Sequence, residues 1–101
     1  MPGPTNAADA LIWIQEAIVA GRYLVHPHFA KRCSDRNVGH REWKHAISKA
    51  TSCTTYRDRA PSNDGTQWRV IGPDLDGDDL TLGCEAFEDH LGRRVLLMTV
   101  F

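Results

Sequence analysis

Residues 68–101 read WRVIGPDLDGDDLTLGCEAFEDHLGRRVLLMTVF, and this stretch decides the fold class. Runs rich in β-branched, leucine and aromatic residues alternate with two segments, 74–77 and 89–92, that hold the Asp and Gly residues typical of tight turns. The predicted strands are 68–71, 80–85 and 93–101. Strands joined by short turns pair with their neighbours in the antiparallel sense. The stretch therefore predicts an antiparallel meander.

The sequence that precedes residue 68 contains one strand-like segment and, nearer the N-terminus, segments whose apolar residues have helical spacing. One more strand is predicted over 53–56, followed by a loop of turn-forming residues over 60–65. Further upstream, apolar residues recur at helical spacing, and Asn6 with Asp9 three residues later predicts a helix N-terminus. The predicted helices are 7–20, 27–36 and a third, carrying Trp43, Ala46, Ile47 and Ala50, that ends near residue 51. A short β-prone run, 23–25, separates the first two.

These elements predict a single α+β domain in which N-terminal helices pack on one face of a C-terminal antiparallel sheet. A chain of 101 residues is long enough for one modest core. Its 42% hydrophobic and 25% charged residues are ordinary for a globular protein and argue against a disordered or coiled-coil chain. We expect one domain over 1–101, with residues 1–6 flexible.

The sequence predicts a cytoplasmic protein. The longest apolar stretch, 7–20, is interrupted by Asp9, Gln15 and Glu16, so it does not resemble a membrane-spanning helix. The first residues, MPGPTN, lack the basic region of a signal peptide. The three cysteines are an odd number with long gaps, which favours reduced thiols over a disulfide framework.

Charge is distributed unevenly along the chain. The net charge is −1, yet residues 1–60 hold nine Lys or Arg against five Asp or Glu, and residues 61–101 hold three against eight. The basic half favours an anionic ligand, whereas the acidic segment, 73–90, favours a different surface or a basic partner.

The second predicted helix carries His28, Arg32 and Arg36 at intervals of four residues, which places three groups able to carry positive charge along one stripe. Like charges at this spacing are mildly unfavourable, and Asp35 offsets them only in part. The stripe therefore has two interpretations: a solvated surface, or a site for an anion.

The stripe belongs to a longer pattern that resembles a known family. The pattern begins with the run His28-Phe-Ala-Lys-Arg32-Cys-Ser-Asp-Arg36-Asn-Val38 and continues with a helix that carries Trp43 and Ile47. Tyr56, the run Trp68-Arg-Val-Ile-Gly72 and a closing strand to Phe101 follow. This order resembles the DUF4258 family, whose own pattern is H-A-x-x-R-x-x-x-R-G-I. The layout is also similar to toxins of the RelE/MqsR/BrnT group, which have a RelE/barnase-like α+β fold. This chain departs from the pattern with Asn37-Val38 for Gly-Ile and with Phe101 where relatives often carry Tyr.

The resemblance implies a small, metal-independent endoribonuclease toxin of a toxin–antitoxin module, which cleaves RNA by attack of the 2′-OH. It implies catalytic roles for His28, Arg32 and Arg36, with Tyr56 as a further catalytic candidate and Arg69 as an RNA-binding one. Basic charge and the stacking ability of an aromatic ring add Lys31, Arg57 and Trp68 as further RNA-binding candidates. The expected partners are RNA, including mRNA free or on the ribosome, and a cognate antitoxin protein. No cofactor, no membrane and no DNA contact by the protein alone are expected.

The residue types suit RNA cleavage independently of the family resemblance. Histidine transfers protons near neutral pH, and arginine presents a planar fork of N–H groups that matches phosphate. The rings of Tyr56 and Trp68 can stack on unpaired bases, but each also fits a structural role, Trp68 in the core and Tyr56 in the sheet.

Other functions stay open at this stage. A non-catalytic RNA- or protein-binding module of the same fold would use the same basic stripe, and an interaction protein would use the acidic segment. A zinc site at His26, His28 and Cys33 lacks the usual ligand spacing. The thiols of Cys33 and Cys84 fall in apolar periodicity, which indicates inert core residues rather than nucleophiles.

Overall fold

The computed structural model describes residues 3–57 and 63–101, and the structural statements below concern these residues. Helix α1 spans Ala7–Val19. It begins where the sequence predicts, because Asn6 Oδ1 accepts a hydrogen bond of 2.9 Å from the main-chain N–H of Asp9. This cap satisfies a first-turn N–H, and the Asp9 carboxylate lies at the positive end of the helix dipole.

Helices α2 and α3 span Pro27–Asp35 and His40–Lys49. Pro27 suits the first position of α2 because it has no N–H to leave unpaired. Asn37, between the two helices, has φ of 56°, the left-handed conformation that the predicted break requires. The three predicted helices are confirmed, with ends that differ by one or two residues.

Five strands form one sheet within the described residues, in the order β1-β5-β4-β3-β2. The strands are β1 Tyr23–Val25, β2 Ser52–Thr55, β3 Thr66–Pro73, β4 Asp79–Asp89 and β5 Gly92–Val100. Strands β2 to β5 pair antiparallel with their successive neighbours, so the predicted meander is confirmed. The predicted loop 60–65 lies in part outside the described residues.

The prediction of a wholly antiparallel, C-terminal sheet is wrong at one edge. Strand β1 precedes α2 in the chain and pairs in parallel with β5, with Tyr23 opposite Val95 and Val25 opposite Leu97. The run at 23–25 is too short to form a local hairpin, and Pro27 begins a helix directly after it. Its hydrogen-bond partners therefore come from the far end of the chain. The α+β class stands, with a mixed sheet.

The main core lies between the helices and one face of the sheet. Ile14, Phe29, Trp43 and Ile47 supply the helical side, and each is at most 4% exposed. The sheet side comes from alternate residues of β3, β4 and β5, among them Trp68, Val70, Leu82, Cys84, Val95 and Leu97. Burying each of the larger apolar side chains contributes about 1.5–3 kcal/mol to folding.

The opposite face of the sheet is partly covered as well. Phe87, Leu96 and Met98 form a second buried cluster there. Glu85 is fully buried, and its Oε2 accepts hydrogen bonds of 2.9 Å from the main-chain N–H groups of Asn63 and Gly65. A buried carboxylate thus anchors the segment that leads into β3.

The N-terminal residues pack more closely than the sequence predicts. Gly3 and Pro4 are buried, and the main-chain oxygen of Pro4 accepts a hydrogen bond of 2.7 Å from Thr66 Oγ1. Residues 3 and 4, part of the segment 1–6, therefore pack against β3, and the flexibility of that segment stays a prediction.

Helix α3 packs so closely on β3 that only glycine fits at position 72. A Cβ at Gly72 would lie 1.9 Å from the main-chain oxygen of Ala46 and 3.1 Å from Ala50 Cα. We expect Gly72→Ala to lower the free energy of unfolding by about 3 kcal/mol, the upper end of the usual cost of overpacking. Denaturant unfolding measures this loss.

Gly39→Ala is the matched control. The Cβ at this position meets nothing within 4 Å, and the backbone φ of −82° is open to alanine. The control should lose less than about 1 kcal/mol, because it changes only the residue type at the N-cap of α3. Equal losses in the two variants would contradict the close contact between α3 and β3.

Candidate anion-binding site

The two arginines of the predicted stripe converge on the end of β5. Arg32 Nε donates a hydrogen bond of 3.1 Å to the main-chain oxygen of Val100. Arg36, one helical turn later, donates from Nη1 to the main-chain oxygen of Phe101. Both guanidinium groups are therefore tethered to the same short piece of backbone, and α2 is docked along β5.

A third arginine reaches the same place from the opposite face of the sheet. Arg69 lies on β3 between the core residues Trp68 and Val70, so its side chain points away from the helices. Its guanidinium carbon lies 4.7 Å from the ring centre of Phe101 and 5.5 Å from that of Tyr56. Arg32, Arg36 and Arg69, here called the arginine cluster, thus share contacts at the end of β5.

The two aromatic rings of this site are held by a close approach to β4. Tyr56 and Phe101 meet edge to face, with ring centres 5.2 Å apart at 87°. A Cβ at Gly83 would lie 3.2 Å from a ring carbon of each. Because Gly83 has no side chain, both rings can pack against β4, and the Arg69 guanidinium contacts them there.

No Asp or Glu side chain of the described residues neutralises the arginine cluster. Asp35, the acid nearest in sequence, pairs instead with Lys31 at 3.2 Å. Within residues 3–57 and 63–101, none of the three guanidinium groups forms an ion pair with an Asp or Glu side chain, and the buried Nε of Arg69 has no hydrogen-bond partner. An arginine has five N–H groups, so the tethered Arg32 and Arg36 keep most of theirs for a ligand.

The other predicted site residues occupy different surroundings. His28 is exposed on α2, one turn before Arg32, and its main-chain N–H donates to His26 Nδ1 at 3.0 Å. The His28 ring has no hydrogen-bond partner in the described part of the chain. Lys31 is exposed and paired with Asp35. Arg57 is exposed and lines an open groove of about 460 Å³ beside Tyr56.

Trp68 is a core residue, which corrects the prediction that it binds RNA. Its side chain is 2% exposed on the helix-facing side of the sheet, and its Nε1–H donates to Thr66 Oγ1 at 2.8 Å. With its faces packed and its single donor satisfied, the ring cannot stack on a base. Phe101, which the sequence analysis did not include among the site residues, lies at the place where the arginines meet.

No signal in the sequence identifies Phe101 as a site residue. Its contribution has two parts, a main-chain oxygen that orients Arg36 and a ring that supports Arg69. The first does not depend on side-chain type, and the second depends on the long-range pairing of β3, β4 and β5. Periodicity and local motifs report neither.

Comparison with known proteins adds no relative. No protein-family model, no curated protein and no solved structure matches this chain. The likeness to the DUF4258 family and to RelE-like toxins therefore stays a prediction from the residues. In the part of the chain that the structure describes, no helix is long and apolar enough to cross a bilayer, and no three His, Cys, Asp or Glu side chains are placed to hold a metal ion.

The cysteines lie outside the arginine cluster and are poor nucleophiles. Burial raises the pKa of the Cys53 thiol to about 11. Burial and the neighbouring Cys53 raise the pKa of the Cys84 thiol to about 12. Burial also raises the pKa of Cys33, which is only partly buried. Because the thiolate is the reactive form, all three thiols react slowly at neutral pH.

Alkylation rates provide a test of this order. In the native protein at pH 8, iodoacetamide should modify Cys33 first, Cys53 more slowly and Cys84 only as the chain unfolds, as read by peptide mass spectrometry. Unfolding in guanidinium chloride should bring the three rates together. Native alkylation of Cys84 as fast as that of Cys33 would show that the buried thiol is reactive after all.

Proposed function

We propose that the protein is a small endoribonuclease of the toxin type, acting in the cytoplasm on RNA, with the arginine cluster holding the phosphate at which the strand is cut. The observation that carries the proposal is the convergence of Arg32, Arg36 and Arg69 on the end of β5 without an Asp or Glu partner among the described residues. Concentrated, unneutralised guanidinium groups are suited to a phosphodiester.

The tethers prepare the site for such a ligand. Arg32 is bonded through Nε, so its plane is fixed by the backbone of β5, and its two terminal amino groups have no hydrogen-bond partner among residues 3–57 and 63–101. The Tyr56 and Phe101 rings limit the orientation of Arg69 in the same way. Donors that are already oriented need no reorganisation when negative charge develops on the phosphoryl oxygens.

Cleavage by the 2′-OH requires two proton transfers. The 2′ oxygen attacks phosphorus as a base removes its proton, the bond from phosphorus to the 5′ oxygen breaks, and an acid protonates that oxygen. The products are a 2′,3′-cyclic phosphate and a 5′-hydroxyl. We assign the base to His28, one turn from Arg32 on the same helix, and the acid to Tyr56 beside Arg69.

The face of the protein that carries the arginine cluster would also bind the antitoxin. An antitoxin with an acidic segment would cover α2 and the end of β5, and thereby occupy the donors that otherwise bind RNA. This arrangement requires no second site on the toxin.

One observation favours a second function, RNA binding without cleavage. The His28 ring is exposed and has no hydrogen-bond partner in the described residues to fix its orientation or tautomer. General bases are usually oriented by a carboxylate or a carbonyl group. In this alternative the arginine cluster holds the strand and no bond is broken.

Substitution of the cluster tests the proposal in cells, where ribosome-dependent and ribosome-independent cleavage are both detected. Controlled expression of the wild type should arrest bacterial growth and create discrete new RNA ends by primer extension. Arg32→Ala/Arg36→Ala should restore growth and reduce the new ends about 100-fold, since even one lost donor to developing charge costs this much. Arg32→Lys, which keeps the charge but loses the fork, should lie between them.

Arg22→Ala is the matched control. Arg22 also donates from Nε to a main-chain oxygen of β5, that of Arg93 at 3.0 Å, but at the opposite end of the strand. This variant should arrest growth like the wild type, provided that circular dichroism shows all variants folded. Normal growth and intact RNA with the wild-type protein would refute the proposed cleavage.

His28→Ala separates cleavage from binding. If His28 is the base, the variant should lose about 100-fold or more of the cleavage while its affinity for a single-stranded RNA, measured by fluorescence anisotropy, changes less than about threefold. His90→Ala, at an exposed position in the turn between β4 and β5, should change neither quantity. Unchanged cleavage in His28→Ala would remove this residue from the mechanism.

A further inference from the structure

A second group of polar side chains lies where α3 begins, outside the arginine cluster. The Tyr23 hydroxyl and His40 Nε2 are hydrogen-bonded at 3.0 Å. Lys44 lies one helical turn after His40, with Nζ 5.5 Å from the centre of the Tyr23 ring. These three residues, here called the β1–α3 cluster, bring a hydroxyl, an imidazole and an ammonium group to one surface.

The buried ring of Trp43 fixes the geometry of the β1–α3 cluster. The Tyr23 and His40 rings meet it edge to face, with centres 5.5 Å and 4.8 Å away, and Phe29 from α2 supports it from a third side at 5.7 Å. Trp43 is 4% exposed, whereas His40 is exposed. The polar groups are therefore held at the surface by rings that belong to the core.

No acid neutralises these groups within the described chain. Lys44 and His40 form no ion pair among residues 3–57 and 63–101, and the contacts of the Lys44 ammonium are the faces of Tyr23 and Trp43. Glu42, the acid on the same helix, accepts a hydrogen bond from the main-chain N–H of Leu75 at 2.9 Å. The Lys44 N–H groups and His40 Nδ1 thus have no carboxylate acceptor.

We propose that the β1–α3 cluster binds a phosphate group of a single nucleic-acid strand, as a second subsite apart from the arginine cluster. The inference rests on the proposed function, since the strand is the RNA held by the arginines. Lys44 supplies charge, and the hydrogen-bonded pair of Tyr23 and His40 supplies one oriented donor, the Tyr23 hydroxyl or His40 Nδ1–H according to the imidazole tautomer. Gly39 provides no side-chain cap at the N-terminus of α3, and Glu42 in the first turn offsets part of the positive field there, so the charge of the subsite comes mainly from Lys44.

Histidine NMR on the full chain provides a direct readout. The probe is a 2′-O-methyl uridine hexanucleotide without terminal phosphates, which offers phosphodiesters but has no free 2′-OH to be cleaved. It should shift the ring signals of His40 saturably. Lys44→Ala should weaken this binding at least about fivefold, as expected for loss of a charge-assisted contact. Tyr23→Phe, which removes only the hydroxyl, should weaken it less.

The control and the second ligand make the result decisive. Lys49→Ala removes an exposed lysine from the last turn of the same helix and should leave the affinity within twofold. Inorganic phosphate, titrated separately, distinguishes a free anion from a strand. Shifts with phosphate but not with the hexanucleotide would overturn the proposal, and so would equal effects of Lys44→Ala and Lys49→Ala.

The outcome is separable from that of the proposed function. Cleavage that depends on Arg32 and Arg36, together with His40 signals that the hexanucleotide does not move, would overturn the second subsite alone. His40 shifts that persist in Arg32→Ala/Arg36→Ala and vanish in Lys44→Ala would support the second subsite even if no RNA is cleaved in cells.

Discussion

Groups from α1, from α2 and from residues that flank the helices donate hydrogen bonds to the main-chain oxygens of β5 and of Phe101 directly after it. Near its start, Arg22 Nε donates to the oxygen of Arg93 and Trp13 Nε1 to that of Arg94. The main-chain N–H of His26 donates to Leu97, and Arg32 and Arg36 reach the last two residues. With β1 on one side and β4 on the other, β5 has no open edge. Strands β1 and β4 and helix α2, which carries two arginines of the site, all take their position from β5.

The arginine cluster inherits its geometry from that constraint. Arg32 and Arg36 come from the helical side of the sheet and Arg69 from the opposite face, and all three contact Val100 or Phe101 because β5 ends between them. The last residues of β5, from Val95 to Val100, are buried, so the backbone oxygen of Val100 that orients Arg32 belongs to a constrained part of the molecule, and the Phe101 oxygen that accepts from Arg36 directly follows it. A site of this kind is oriented before a ligand arrives, which lowers the entropic cost of binding.

Local signals in the sequence predicted most elements of the fold and only part of the site. The cap at Asn6, the break at Asn37 and the meander after residue 52 depend on residue type and spacing over a few positions, and each was predicted correctly. The parallel pairing of Tyr23 with Val95 joins residues far apart in sequence, and no periodicity reports it. The same limit explains Trp68, whose burial depends on which face of β3 meets the helices, and the bond of Tyr23 to His40. The spacing of His28, Arg32 and Arg36 predicts the stripe on α2, but nothing in the sequence predicts that the arginines of this stripe bond to the end of β5.

The state of Arg69 is the strongest physical argument that the cluster has a ligand. Its Nε is buried without a hydrogen-bond partner, and an unsatisfied buried donor costs about 1–3 kcal/mol. The guanidinium rests on the Tyr56 and Phe101 rings, and such cation–π contacts return about 0.5–2 kcal/mol. An apolar side chain at this position of β3 would pack on the same two rings without burying an unpaired N–H. Folding alone thus gains little from an arginine at position 69, whereas a phosphate held by Arg32 and Arg36 would find in it a third cation, already oriented.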